Sequence, residues 1–337
     1  MAKDTLSGGN SHASGRHFQK PSKPDCAANP QNNPFRKLFA MSVTTSVIIN
    51  NYNYGKFLIE CIESVMAQRM QPTEIICVDD GSEDNSLDIL EGYAEKITVI
   101  SQKNQGQYRA ILTGTEAATG ELCFFLDADD TWNPDHIEKV YQAFERDHNQ
   151  SLISSSLSCF SQYQGLHPLS EKHPSITYAR TQAITFLNGN FIGRPTSTCA
   201  MKRLDALSIL KKTYTLEKHF RVCADEVLVY GTSLMGWKTT LLKDETVNYR
   251  VHSGNHFFES TANRDKSEEK KRREALFHHF QKMENFSYRP KDIYLEMRMN
   301  NSAALQKKYR KIIRNLPAPK LMCLYWRWRF RQWKELK

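Results

Sequence analysis

Leu122-Cys123-Phe124-Phe125-Leu126-Asp127-Ala128-Asp129-Asp130 passes from five apolar residues into a cluster of carboxylates with no spacer. A run this short, aromatic-rich and bounded by turn formers reads as a strand buried in a parallel sheet. Two earlier runs end the same way. Ser46-Val47-Ile48-Ile49 stops on Asn50-Asn51-Tyr52-Asn53, and Glu74-Ile75-Ile76-Cys77-Val78 stops on Asp79-Asp80-Gly81-Ser82. Open α/β sheets bind ligands in the crevice beyond the carboxyl ends of their strands. The carboxylates of Asp79, Asp80, Asp127, Asp129 and Asp130 are therefore expected on one rim.

Helical patterns separate these runs. Leu58, Cys61, Ile62 and Val65 fall at i, i+3, i+4 and i+7, and Pro72 helps end that connection. Asp84-Asn85-Ser86 supplies caps for a helix expected to bury Leu87, Leu90 and Ala94. A strand over 97–100 leads to Asn104-Gln105-Gly106-Gln107, a helix through Ile111 and Leu112, and a closing Gly120. Asn133 and Pro134 read as the cap and first position of a helix whose apolar face is Ile137, Val140, Tyr141 and Phe144. Alternation of this kind predicts a doubly wound, mainly parallel sheet of Rossmann-like character with right-handed crossovers. Beyond Asp147 the periodicity weakens, with strands expected over 152–163, 196–201 and 237–242 and a helix over 225–234. Tyr249-Arg250-Val251-His252 follows.

The gross composition narrows the class. The chain has 337 residues, 40% of them hydrophobic, which suits one large domain with flanking segments. No apolar stretch approaches the roughly 20 residues of a membrane-spanning helix. Residues 1–42 have the Ser, Gly, Asn, Pro and Lys content of a disordered leader without a signal-peptide core, so a cytoplasmic location is expected. Eight cysteines without metal-type spacing read as reduced thiols. The net charge of +9 is uneven: residues 261–337 hold 21 Lys or Arg against 8 Asp or Glu. An anionic contact is thus expected for a basic, helical C-terminal region rather than for the whole chain.

Asp127-x-Asp129 at a strand end is a compact way to hold a divalent cation, Mg²⁺ or Mn²⁺, against a diphosphate, because both prefer hard oxygen ligands. Such clusters also serve as helix caps and solvated turns. A capped turn accounts for Asp80, Gly81 and Ser82. It leaves Asp79 over, placed to accept hydrogen bonds from a base or a ribose.

From Val47 to His252 the chain resembles the inverting glycosyltransferases of family 2, which have the GT-A fold. The likeness rests on VIINNYNYGKFLIECIESVMAQ, VDDGSEDNS, NQGQ, TGELCFFLDADDTWNPDHI and YRVHSGN, in that order and spacing. It implies a GT-A catalytic domain over 43–260, followed by the basic helical region at 261–337. It also implies a nucleotide-sugar donor, with a UDP-sugar favoured, lying across the strand ends. Asp79 is then similar to the base-contacting aspartate, and Asp127 and Asp129 to the pair that meets ribose and metal-bound diphosphate. Asn51, Tyr52, Asp80, Gln107 and Ala128 line the same donor site. Relatives carry Ala-Arg-Asn in the helix after NQGQ, where this chain has Ala110-Ile111-Leu112, with Arg109 adjacent.

The resemblance further implies a general base at Asp225, with Glu226 as its competitor; the Glu that usually precedes the base is Ala224 here. Both carboxylates would equally favour a helix N-terminus. His252 falls where a third metal or diphosphate ligand is often found, and Arg250 either faces the diphosphate or forms an internal salt bridge. The segment 321–333 alternates tryptophan and arginine, which suits a peripheral helix on an anionic inner-leaflet surface, or packing against the domain. A glycan or lipid-linked acceptor in cell-envelope synthesis follows from such a position. No nucleic-acid module accompanies the tail, no feature sets an oligomeric state, and no Gln-x-x-Arg-Trp signature of polymer synthases is present. The competing readings are a sugar nucleotidyltransferase, whose Gly-rich basic first loop is missing, and a degenerate transferase acting as a scaffold.

Overall fold

The computed structural model describes residues 43–161, 174–252, 266–284, 290–300 and 302–315. The leader at 1–42, Ser253-Gly254-Asn255 and the segment 321–333 lie outside the described residues. The first half alternates β1 (Thr45–Asn51), α1 (Gly55–Met66), β2 (Glu74–Asp79), α2 (Ser86–Glu91), β3 (Thr98–Ser101), α3 (Gln107–Ala117) and β4 (Leu122–Asp127). These four strands lie in the order β3-β2-β1-β4, every pair parallel. The register sets Asn51 beside Asp79 and Asn50 beside Asp127, so the polar residues ending each run share one edge.

Alternate residues of a strand face opposite sides of a sheet, and both sides are covered here. Val47 and Ile49 enter one core with Leu58, Cys61, Ile62, Val65, Trp132 and Phe144. Ile48, Ile76, Val78 and Phe125 enter the other with Tyr108, Ile111, Val227 and Leu228. Burial at each such Leu, Ile or Phe contributes about 1.5–3 kcal/mol. The fold is therefore α/β, with a mostly parallel central sheet and helices on both faces. α2 departs from expectation: Ser86 and Leu90 are buried, whereas Leu87 and Ala94 are exposed. A six-residue helix offers a single inward stripe, and positions 86 and 90 use it.

Past β4 the sheet becomes mixed. β5 (Thr131–Trp132), α4 (His136–Arg146), β6 (Gln150–Ser161), β7 (Ile176–Tyr178), α5 (Gln182–Asn188), β8 (Cys199–Lys202), α6 (Arg203–Lys212), α7 (Asp225–Leu234) and β9 (Lys238–Val251) follow. β8 is antiparallel to both β4 and β6, while β6 runs parallel to β9. The strand expected over 196–201 begins only at Cys199, after one 3₁₀ turn at Thr196–Thr198. The strand expected over 237–242 starts at Lys238 and runs on through Tyr249 to Val251. α4 starts at His136 rather than Asn133, because the Asn133 side chain is committed to β9: it donates to Glu245 O (3.0 Å) and accepts from Asn248 Nδ2 (3.0 Å).

The basic region is helical where described: α8 (Lys266–Glu284), α9 (Pro290–Met299) and α10 (Ala303–Asn315). Leu276 and Phe280 of α8 are fully buried in the second core. α9 and α10 pack Ile293, Met297, Leu305 and Tyr309 against Ala183 and Ile184 of α5. Glu296 fastens this contact by accepting from the N–H groups of Ala183 (2.8 Å) and Ile184 (3.0 Å) and from Tyr309 Oη (2.6 Å). Among the described residues, Cys61, Cys77, Cys123, Cys159 and Cys199 are free thiols, and no helix is long and apolar enough to cross a membrane.

Candidate active site

The strand ends carry two hydrogen-bonded groups. In the first, Asp79 is fully buried. Its Oδ1 accepts from Asn51 Nδ2 (2.8 Å) and Ser82 Oγ (2.5 Å), and its Oδ2 from Ser82 N (3.0 Å). Asp80 accepts from Gln102 Nε2 (2.7 Å) and from the backbone of Gln105 (2.9 Å) and Gly106 (2.6 Å). Both carboxylates thus hold the turns around them. Gly81 and Gly106 make this possible with φ of 74° and 94°. A Cβ on Gly106 would lie 2.6 Å from Arg221 Cα. Tyr52 stands exposed on the rim, and the Oδ1 atoms of Asn50 and Asn51 are buried there without a partner among the described residues.

The second group is acidic. Asp127, Asp129 and Asp130 bring one carboxylate oxygen each to within 4.8 Å of the others. Burial, with the Asp129 charge beside it, pushes Asp127 up to about 7, and the same causes hold Asp130 well above the carboxylate range. Such crowding is what a divalent cation relieves, and hard oxygens suit Mg²⁺ or Mn²⁺. His252 Nε2 lies 3.1 Å from Asp129 Oδ2, an adjacent nitrogen donor. The residues present fit a divalent cation.

Neighbouring atoms hold this cluster in place. Asp127 Oδ1 accepts from Asn50 Nδ2 and Gln107 Nε2, both at 2.8 Å, and the Ala128 N–H donates to Asn50 O (3.2 Å). Ser197 Oγ donates to Asp130 Oδ2 (2.6 Å) and accepts from Asp127 N (3.1 Å). Arg250 N donates to Asp130 Oδ1 (2.8 Å), while its guanidinium binds Asp129 O (2.8 Å) and Glu60 (2.5 Å) between the rings of Phe57 and Phe160. Arg250 thus serves internal contacts of the fold.

Asp225 opens α7 on the other side of Gln107, whose Oε1 accepts from Ala224 N (2.9 Å). Burial, then the charges of Glu226 and Asp127, push Asp225 up to about 7. Its competitor is otherwise engaged: Arg272 of α8 grips Glu226 with two hydrogen bonds of 3.2 Å. Ala110-Ile111-Leu112 is buried in the second core, and Arg109 turns to Glu217 (3.9 Å) and Tyr214.

The structure brings Asn51, Asp79, Asp80, Gln107, Asp127, Ala128, Asp129 and His252 to the strand ends, with Asp225 near enough to Asp127 to feel its charge. Sequence reasoning left Asp130 out of the metal set, although it closes the same run of carboxylates. It missed Ser197 and Arg272, which no local pattern marks.

Residues 46–207 match the family described as Glycosyl transferase family 2. The chain is 34% identical over 237 residues to "Uncharacterized glycosyltransferase alr2836" of Nostoc sp., covering 67% of this chain and 70% of that protein. It is 40% identical over 108 residues to an undecaprenyl-phosphate 4-deoxy-4-formamido-L-arabinose transferase of Serratia proteamaculans, covering 30% of this chain and 33% of that relative. S. aureus TarS 1-349 superposes with a TM-score of 0.49 at 18% identity, over 77% of this chain and 81% of that one. The molecule is an α/β glycosyltransferase. It belongs to glycosyltransferase family 2.

Proposed function

We propose that the chain moves one glycosyl unit, with inversion, from a nucleoside diphosphate sugar to a hydroxyl of a glycan or lipid-linked acceptor. A UDP-sugar is the favoured donor and cell-envelope polysaccharide the favoured destination. The observation that carries this is the pairing of a three-carboxylate cation site with a separate carboxylate, Asp225, that Glu226 does not replace.

Asp127, Asp129 and His252 would hold the divalent cation, with Asp130 adding its charge; the ion would neutralise the departing diphosphate. The buried Oδ1 atoms of Asn50 and Asn51 and the exposed ring of Tyr52 offer the nucleotide acceptors and a stacking face. Asp79 and Asp80 set the turn that shapes this pocket. Asp225 takes the proton from the acceptor hydroxyl as its oxygen bonds to the anomeric carbon. The bond from that carbon to the diphosphate oxygen breaks, and its electron pair leaves with the nucleoside diphosphate. A base whose proton affinity lies near neutrality is matched to this role.

The lipid-linked acceptor is supported by the name of the Serratia relative and by the basic C-terminal region. A peripheral position on the inner face of the cytoplasmic membrane, through 321–333, belongs to the same proposal. The test is turnover of a panel of nucleotide sugars with manganese and with chelator, followed by NMR of the product anomer. Inverted product formed only with the cation is expected. Retained configuration, or full turnover in chelator, would remove this reading.

A further inference from the structure

The helix α8 lies beyond the residues matched by the family, yet it reaches Glu226 at the start of α7. Arg272, Leu276 and Phe280 are spaced i, i+4, i+8, one stripe of a helix. The lower two are fully buried among Ala224, Val227 and Leu228 of the α7 region, and His279 Nε2 meets Lys212 O at 2.6 Å. The stripe therefore fixes where Arg272 ends: its guanidinium meets both oxygens of Glu226 at 3.2 Å, with the two side chains 12% and 11% exposed. Glu226 follows Asp225 directly at the start of α7.

We propose that Arg272 is a positioning residue for glycosyl transfer: by binding Glu226 as a forked pair it compensates that charge and leaves Asp225 as the sole carboxylate turned to the acceptor. This rests on Asp225 being the base. Two unpaired carboxylates at adjacent positions would compete for one proton and raise each other's affinity for it. A forked guanidinium suppresses the competition, and a Lys cannot reproduce its geometry. The other charged or titratable groups here are Asp127 and Cys199 beside Asp225, Glu269 and Cys223 beside Arg272, and Tyr230, which faces Glu226 and is hydrogen-bonded to Arg273. Arg273 is thus engaged by Tyr230, and the forked pair on Glu226 comes from Arg272.

The experiment uses the full-length chain with its best nucleotide-sugar donor and manganese. Variants R272Q, R272K, R272Q/E226Q and D225N are compared for kcat, KM and the pH at half-maximal rate. R272Q is expected to lose roughly tenfold in kcat, part of the range a general base supplies, with donor KM held and the pH midpoint moved upward. R272K should fall between R272Q and wild type. R272Q/E226Q, which removes the stranded charge, should regain most of the rate and the original midpoint. Wild-type kcat in R272Q, or a double variant no faster than R272Q, would overturn the proposal, because a packing role is not rescued by neutralising Glu226. D225N separates the two levels: if it turns over normally the base assignment fails, whereas its inactivity beside a normal R272Q sinks only the role of Arg272.

Discussion

On the β1 side of β4 neighbouring strands run parallel, and each writes its polar residues immediately after its apolar run. On the β8 side the strands are mixed in direction, and that half supplies backbone groups and hydroxyls from far along the chain. Asn51 finds Asp79 at a separation of 28 residues, whereas the Arg250 N–H finds Asp130 at 120. The first half presents the carboxylates. The second half holds that cluster through Ser197 and Arg250 and adds a further carboxylate, Asp225, next to the Glu226–Arg272 pair. A transferase site of this kind is therefore a property of the whole sheet, although half of it carries the recognisable motifs.

The largest test of that division is Asp225→Asn. A mixed half that merely scaffolds predicts normal turnover, whereas a base in α7 predicts a kcat loss of about 10²–10⁴-fold at unchanged nucleotide affinity. Steady-state kinetics beside manganese-dependent nucleotide binding decide between them.

Next in size, Phe280→Ala asks whether α8 belongs to the core. Removing a fully buried ring is expected to cost about 3–5 kcal/mol, seen as a lower urea midpoint. A midpoint unmoved by the change would make α8 an appendage.

Gly106→Ala strains the junction between the halves, because φ is 94° and the new Cβ meets the Arg221 backbone. A cost of about 1–3 kcal/mol is expected, together with weaker nucleotide binding from the displaced Asp80 turn. Unchanged stability and binding would show that the Gly106–Arg221 approach is dispensable.

The smallest effect near neutrality concerns His136, buried between the halves with Nδ1 2.7 Å from Thr246 Oγ1 and its ring stacked on Trp132. Burial drives its pKa down to about 3, so the folded chain keeps it neutral while the unfolded chain protonates near its ordinary value. Stability should therefore fall as pH drops below about 6.5. Urea midpoints at neutral and mildly acidic pH measure this, and His136→Gln should flatten the slope. A slope identical to wild type would assign the acid sensitivity to other groups.

The same division explains what could be read from the chain. β1, β2 and β4 were legible because a strand buried on both faces is a continuous apolar run, and α1 because its periodicity is local. The start of α4 was misread because Asn133 spends its side chain on a strand more than a hundred residues later. Leu87 looked inward because the length of α2 is set by packing. Asp130 was expected on the rim but given no ligand role; its partners, a serine hydroxyl and a backbone N–H, leave no trace in composition. The capture of Glu226 by Arg272 depends on α8 docking through Leu276 and Phe280, and the region read as uniformly basic hid that apolar stripe.

The bond from Arg250 N to Asp130 has a consequence during synthesis. The chain emerges N-terminus first, so the aspartates of β4 are made long before the strand that locks one of them. Until β9 inserts beside β6, Asp130 lacks its backbone anchor and His252 has not reached Asp129. A nascent polypeptide can thus form its parallel half before the acidic cluster is held in place, a step that waits for the chain to be made as far as Val251, the end of β9.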